Sequence, residues 1–231
     1  MTESVRRRVA CRVMGPVVGI VAGLMVLGCT VDGEATAGSP DLSSRSLTAA
    51  DFPDGAASRV PATAVADALA DLTGHRMHGD VVPPDCMPYA VSAEGAAVMV
   101  GPDPRTSTAT FTSAVVRAGR GLSDVASQAR RCPRYLAGSA PTAVSTVTTR
   151  VVPAPTQRGI TTTGLQRDIA TGGVEAAGSS STTTGTTTLM AQRNGVRVIT
   201  EYRHQGGGAP SATTRKQLDA LFDKAVDRAF R

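Results

Sequence analysis

Seven side chains carry most of the chemistry this sequence could do: the cysteines at 11, 29, 86 and 132 and the histidines at 75, 78 and 204. A thiolate is a nucleophile, so a cysteine at a processing junction can accept a covalent group. Cys29 ends the apolar run "VAGLMVLGC" and is followed at once by polar "TVDGEA". His75 and His78 sit in "GHRMHGD" with Asp80 nearby, a pattern that could begin a metal site. His204 is distant in sequence, and there is neither an HExxH pattern nor a cysteine cluster, so a polar turn is the simpler reading. No Gly-x-Ser-x-Gly elbow occurs, although a Ser-His-Asp triad can assemble from scattered residues. "GRGLSD" and "HQGGG" are glycine-rich but lack the strand-loop-helix spacing of a phosphate cradle, and read as turns. Asp67 and Asp71, four apart, read as a solvated helix face rather than paired catalytic carboxylates. The sequence therefore predicts a non-enzyme, with no catalytic residue, no metal site and no cofactor.

The segment before Cys29 explains its position. Arg6, Arg7, Arg8 and Arg12 precede an uncharged stretch from Val13 to Gly28 whose strongest part is Val17 to Leu27. At ~1.5 Å rise per residue that part is too short for a hydrocarbon core of ~30 Å. A basic start, a short apolar middle and a small residue before the cut describe a secretory signal. Its end, Val26-Leu27-Gly28-Cys29, resembles a bacterial lipobox. The resemblance implies cleavage between Gly28 and Cys29 and lipidation of the Cys29 thiol, with palmitate-type chains anchoring the mature N-terminus. More than one acyl chain is what stable anchoring requires. An uncleaved anchor helix from Val13 to Leu27 is the competing reading.

Removing residues 1–28 leaves 203 residues with 20 basic and 18 acidic side chains. The basic excess belongs largely to the signal, and no basic run interleaves with aromatics, so no nucleic-acid partner is expected. Residues 29–44 are rich in Gly, Ser, Thr, Ala and Asp and read as a flexible tether; residues 45–231 suit one domain. With no Trp, four Phe and three Tyr, the core must rest on Val, Ala and Leu. Once Cys11 is cleaved off and Cys29 acylated, Cys86 and Cys132 remain as one pair in an oxidising compartment. The pair reads as a disulfide that would stabilise by roughly 4 kcal/mol from loop closure. Two buried free thiols or a catalytic cysteine are the alternatives.

The elements follow from periodicity. Thr48 can cap a short turn ahead of Phe52-Pro53, and Val65, Leu69 and Leu72 share one face of a helix from about Thr63 to Leu72 that Gly74 stops. "DVVPPDCMP" must be extended or turning. "GAAVMVG" and "TSTATFTSAVVRAG" predict two strands joined by "PDPR", and "GLSDVASQARRC" a helix with Leu122, Val125 and Ala129 facing inward. "TAVSTVTTRVV", "RGITTTGLQRDIA", "STTTGTTTLMAQRN" and "VRVITEYRH" predict a second group of strands, their threonines suiting a wet sheet face. "SSSTTTGTTT" could instead be a linker or a glycan acceptor. Asn194-Gly195 marks a two-residue hairpin. The last segment is a helix, capped by Ser211 or Thr213, with Leu218, Leu221, Phe222, Ala225, Val226 and Ala229 in an apolar stripe. The expected class is α+β, an antiparallel sheet flanked by a few helices.

A lipobox, a short tether, the "LTAADFPDG" opening, "PPDC", a second cysteine after a helix and the closing "LDALFDKAVDRA" helix together resemble a group of actinobacterial, largely mycobacterial, secreted lipoproteins. Part of that group is loosely similar to the extracellular sensor domain of mycobacterial receptor kinases. The resemblance implies a disulfide-stapled α+β domain that is non-enzymatic and binds a ligand; it carries no functional residue across. The expected function is thus a lipid-anchored binding or sensor domain on the extracytoplasmic face of the cell membrane. Its ligand would be a small molecule, an envelope lipid or a protein. The alternative is an envelope assembly or interaction lipoprotein without a pocket.

Overall fold

The computed structural model describes residues 40–75, 79–139, 143–172 and 182–231. Cys29, Gly28, the chain up to residue 39, His78 and residues 179–181 lie outside them, so the cleavage and lipidation expectations have no structural counterpart. Among the described residues the strands are β1 (Ser58–Arg59), β2 (Val81–Val82), β3 (Ser92–Asp103), β4 (Thr106–Arg117), β5 (Arg134–Ser139), β6 (Ala143–Val152), β7 (Thr161–Gly172), β8 (Thr182–Arg193) and β9 (Val196–Gln205). The helices are α1 (Val65–Thr73), α2 (Leu122–Arg131) and α3 (Ala212–Phe230). All strands join one antiparallel sheet in the order β1-β3-β4-β9-β8-β7-β6-β5-β2. No helix among the described residues is long and apolar enough to cross a membrane.

Period-two alternation gives the two sheet faces to different helices. Phe111, Val115, Leu189, Ala191, Val198 and Tyr202 point to one side and are covered by the α3 stripe, all six of whose predicted positions are buried. Ala114, Val116, Met190 and Ile199 point to the other side and meet Val65, Leu69 and Leu72 of α1 and Leu122 of α2. The Ser211 hydroxyl accepts from the Thr214 amide at 3.2 Å and starts α3, as a cap should. Asn194 (φ 51°) and Gly195 (φ 75°) both take the left-handed backbone that a two-residue β8–β9 hairpin requires.

Three expectations change. The threonines do not make a wet face on the central strands, where Thr186, Thr187, Thr188 and Thr200 are all 2% exposed or less, whereas Thr148 on β6 and Thr161 at the start of β7 are exposed as expected. β8 and β9 lie at the centre of the sheet with helices on both sides, so either face of these strands is covered. Strands β1, β2 and β5 went unforeseen because two are only two residues long and the third, "RYLAGS", has no clean alternation. Packing also begins at Leu42, two residues inside the stretch read as tether: it is 2% exposed and its amide donates to Gly95 O at 2.8 Å.

The β3–β4 turn is tied to β9 by a carboxylate and to α3 by an arginine. Asp103 accepts from the Arg105 amide (3.0 Å), Arg105 Nε (3.0 Å) and Nη2 (2.9 Å), and Tyr202 Oη (2.9 Å). Arg105 Nη2 also donates to Thr214 Oγ1 at 2.9 Å. Burial alone would push the Asp103 carboxyl up, but these donors outweigh it and hold it below the usual carboxylate range.

Two measurements check this frame. Phe222 is fully buried in the α3 core. Phe222→Ala should cost about 3–5 kcal/mol in urea unfolding, and a loss within the scatter of surface mutants would contradict that packing. A carboxyl with a lowered folded pKa contributes stability above its unfolded pKa of ~3.9 and loses it as pH falls through the folded value. Asp103→Asn should therefore be less stable near neutrality and show a shallower loss of stability below about pH 4 than the parent.

Candidate ligand-binding cleft

The cleft begins where α1 ends. Gly74 takes a left-handed backbone (φ 79°), and its amide closes on Ala70 O and Asp71 O. A Cβ there would lie 2.5 Å from Arg167 Nη1, so glycine is required by both its dihedral and the close approach. That guanidinium, projecting from β7, completes the helix end: Nη2 donates to Leu72 O at 2.6 Å and Nη1 to Thr73 O at 2.8 Å. A cation at a helix C-terminus meets both the free carbonyls and the negative end of the dipole.

Arg167 belongs to a chain of alternating charges. Its Nη2 lies 3.2 Å from Glu201 Oε2, which also accepts from Thr188 Oγ1 at 2.9 Å. Glu201 Oε1 takes Arg203 at 3.3 Å, and Arg203 Nη1 reaches Asp71 Oδ2 on α1 at 2.7 Å. Burial pushes the Glu201 carboxyl up, and the two guanidiniums oppose that shift. Asp71 is thus a partner in this chain, not a free solvated carboxylate.

α2 supplies the opposite wall. Its first turn is closed by Asp124, whose carboxylate accepts from the Gly121 amide at 3.3 Å. The short turn Pro84–Cys86 and the residues to Tyr89 form a strap between the two helices. The Cys86–Cys132 disulfide fixes the strap to the end of α2, with Cα atoms 5.6 Å apart, as expected from the cysteine arithmetic. Gln128 Nε2 adds bonds to Asp85 O (3.2 Å) and Met87 O (2.7 Å), and Arg120 lies over the Tyr89 ring at 5.4 Å. At the α1 end, His75 Nδ1 lies 2.5 Å from Pro88 O. This histidine holds the strap. It is not joined by Asp80 or His204, which stacks on Tyr202 at 5.4 Å, and no group of three His, Cys, Asp or Glu placed to hold a metal occurs among the described residues.

Between these walls lies a cavity of about 60 Å³. Its floor is Leu165, Thr188, Met190 and Ile199, and Val125 and Ala129 of α2 line one side. Tyr135, Thr149 and Arg167 contribute polar atoms at the cavity wall, and Arg197 contributes more. Burial pushes the Tyr135 phenol up. Arg167 Nε and Thr149 Oγ1 are buried and make no well-formed hydrogen bond among the described residues, although the Tyr135 phenol lies near both side chains. Val125, expected to face inward, is half-buried because it borders this space. Of the cleft, the sequence pointed to Cys86, Cys132, Leu72 and α2; Arg167, Glu201 and Arg197 carried no signal beyond sitting in polar-apolar alternation.

Removing one partner of a buried ion pair costs about 3–5 kcal/mol because the other charge is left uncompensated. Arg167→Met should destabilise by that order in urea unfolding, and adding Glu201→Gln to it should recover part of the loss. A double variant no more stable than Arg167→Met would show that the two side chains do not act as a pair.

No family model matches the sequence, and no curated protein matches it. Two solved structures are similar over part of their length. An uncharacterized protein of Mycobacterium smegmatis, the Rv0999 ortholog, is 17% identical with a TM-score of 0.39, over 63% of this chain and 75% of that one. The extracellular domain of PknH from Mycobacterium tuberculosis is 13% identical with a TM-score of 0.38, over 64% of this chain and 77% of that one. A likeness at this level bears on neither ligand nor activity.

Proposed function

We propose that this chain is an extracytoplasmic lipoprotein anchored through Cys29, whose folded unit binds a small molecule or an envelope component in the cleft between the sheet, α1 and α2. One observation carries the binding reading: an apolar floor beside buried Arg167 Nε and Thr149 Oγ1, which make no well-formed hydrogen bond within the described residues although the Tyr135 phenol lies near both side chains. Buried polar groups are nearly always hydrogen-bonded, so such atoms bordering a cavity suit an occupant that completes them. The histidine nearest the cleft is engaged with the strap, and the reading assigns no catalytic role to any residue. The anchor reading rests on the basic start, the short apolar run and the lipobox at Val26 to Cys29.

A second reading has its own observation. Val82 (57% exposed) and Leu136 (42% exposed) are cross-strand partners at the β2–β5 edge. They lie on the sheet face that α3 covers only at its other end, and a protein partner could cover them.

Native mass spectrometry of the protein extracted from its own envelope should show additional mass carried by the folded unit. Bare protein under gentle ionisation, with nothing in its organic extract, would count against a resident ligand. Cys29→Ala should abolish acylation, seen as loss of the acyl mass, and deplete the protein from the membrane fraction. Membrane partition equal to the parent's would remove the lipid-anchor reading.

A further inference from the structure

Among the described residues, four of the five charged side chains buried or ion-paired on the α1 and α2 side of the central strands neutralise one another: Arg167 and Arg203 against Glu201 and Asp71. The fifth is Arg197, on β9 and 2% exposed. Its hydrogen bonds go to neutral acceptors. Nε and Nη2 reach Gln192 Oε1 at 3.0 and 2.9 Å, and Nη2 reaches Arg120 O at 2.7 Å. Among the described residues no carboxylate lies within ion-pairing distance of it. Burial pulls the guanidinium down to about 10, which still leaves it charged at neutral pH. A buried cation without a counter-ion is costly, and proteins nearly always pair one.

Arg197 also lines the cleft. The register places it far from Arg167. It pairs with Gln192 on β8, whereas Arg167 pairs with Thr186, six residues away along the same strand. Between the two guanidiniums run Met190, Ile199 and Leu165, faced by Val125. At the Arg167 end, Arg167 Nε and Thr149 Oγ1 make no well-formed hydrogen bond among the described residues, although the Tyr135 phenol lies near both side chains. The cleft is therefore an apolar floor with an unbalanced positive charge at one end and spare hydrogen-bonding capacity at the other.

We infer that the cleft takes an amphipathic anion, its carboxylate or phosphate against Arg197 and its apolar body along Met190, Ile199 and Leu165. The inference rests on the ligand-binding reading above and names the ligand class. The anion supplies the charge that the protein withholds from Arg197. The floor selects for hydrocarbon.

The test is isothermal titration of the full chain in nanodiscs, with empty nanodiscs as the blank. The probes are straight-chain carboxylates from butyrate to octanoate, octyl phosphate, octanol and octyltrimethylammonium. Octanoate or octyl phosphate should bind at least tenfold more tightly than octanol, and octyltrimethylammonium not at all. Each methylene should tighten carboxylate binding about three- to fourfold. The stronger of the two anions identifies the head group. Arg197→Gln should bring octanoate down to the level of octanol and leave octanol unchanged, while Arg197→Lys should retain the preference for anions. Melting curves of both variants establish that they are folded. If Arg197→Gln does not fold, the Lys variant and the octanoate-to-octanol ratio in the parent decide the matter. Octanol binding as tightly as octanoate would overturn the anion inference and leave the cleft as an apolar site. Binding by none of the probes would overturn the inference together with the reading it rests on.

Discussion

The position of α1 on the sheet depends on one guanidinium. Arg167 is 4% exposed, ends the helix by binding Leu72 O and Thr73 O, and contacts Glu201 beneath. Each role constrains the next. Gly74 must lack a side chain because Arg167 Nη1 occupies the space. Glu201 can be buried because Arg167 and Arg203 flank it. Asp71 completes the chain from the helix side, so α1 is gripped by both its backbone end and a side chain. An apolar helix on an apolar sheet could slide by a turn at small cost, whereas charge-assisted bonds of fixed direction set both register and depth. The space between α1 and α2 exists because α1 stops where this arginine stops it.

The opposite wall is set by covalent and polar ties. The disulfide, Gln128 and the Arg120–Tyr89 contact hold the strap to α2, and His75 holds it to α1. A chain with no Trp and seven other aromatic rings has little bulk with which to fill the region between two helices. A small residue such as Ala129 on α2 leaves room that a core of larger side chains would close. Scarcity of bulk and the presence of a cavity are thus two aspects of one composition.

How much of this was legible in the sequence depends on the range of the interactions. The α3 stripe, the Asn194-Gly195 hairpin, the α1 face and the cysteine pair are local patterns or follow from elimination, and each appears in the structure. The burial of Thr186, Thr187 and Thr200 was not legible, because it depends on which strands are central, and strand order is a property of the whole chain. Arg167 is the sharpest case. In "TTTGLQRDIA" it looks like one polar residue among several, yet Gln166 and Arg167 are both buried, on opposite faces of β7. Its partners, Leu72 and Glu201, are 95 and 34 residues away. Sequence patterning reads one element at a time, and the cleft is made from β5 to β9, two helices and a strap.

The two ends of the sheet bear on a different matter. β1 and β2 are two-residue stubs, pairing with β3 only at Val100 and Met99 and with β5 only at Ala137 and Leu136. A sheet bordered by full-length strands would offer a neighbouring copy a long row of free amides and carbonyls. Here each border presents a fragment too brief to template another strand. The fold thereby resists polymerising edge to edge.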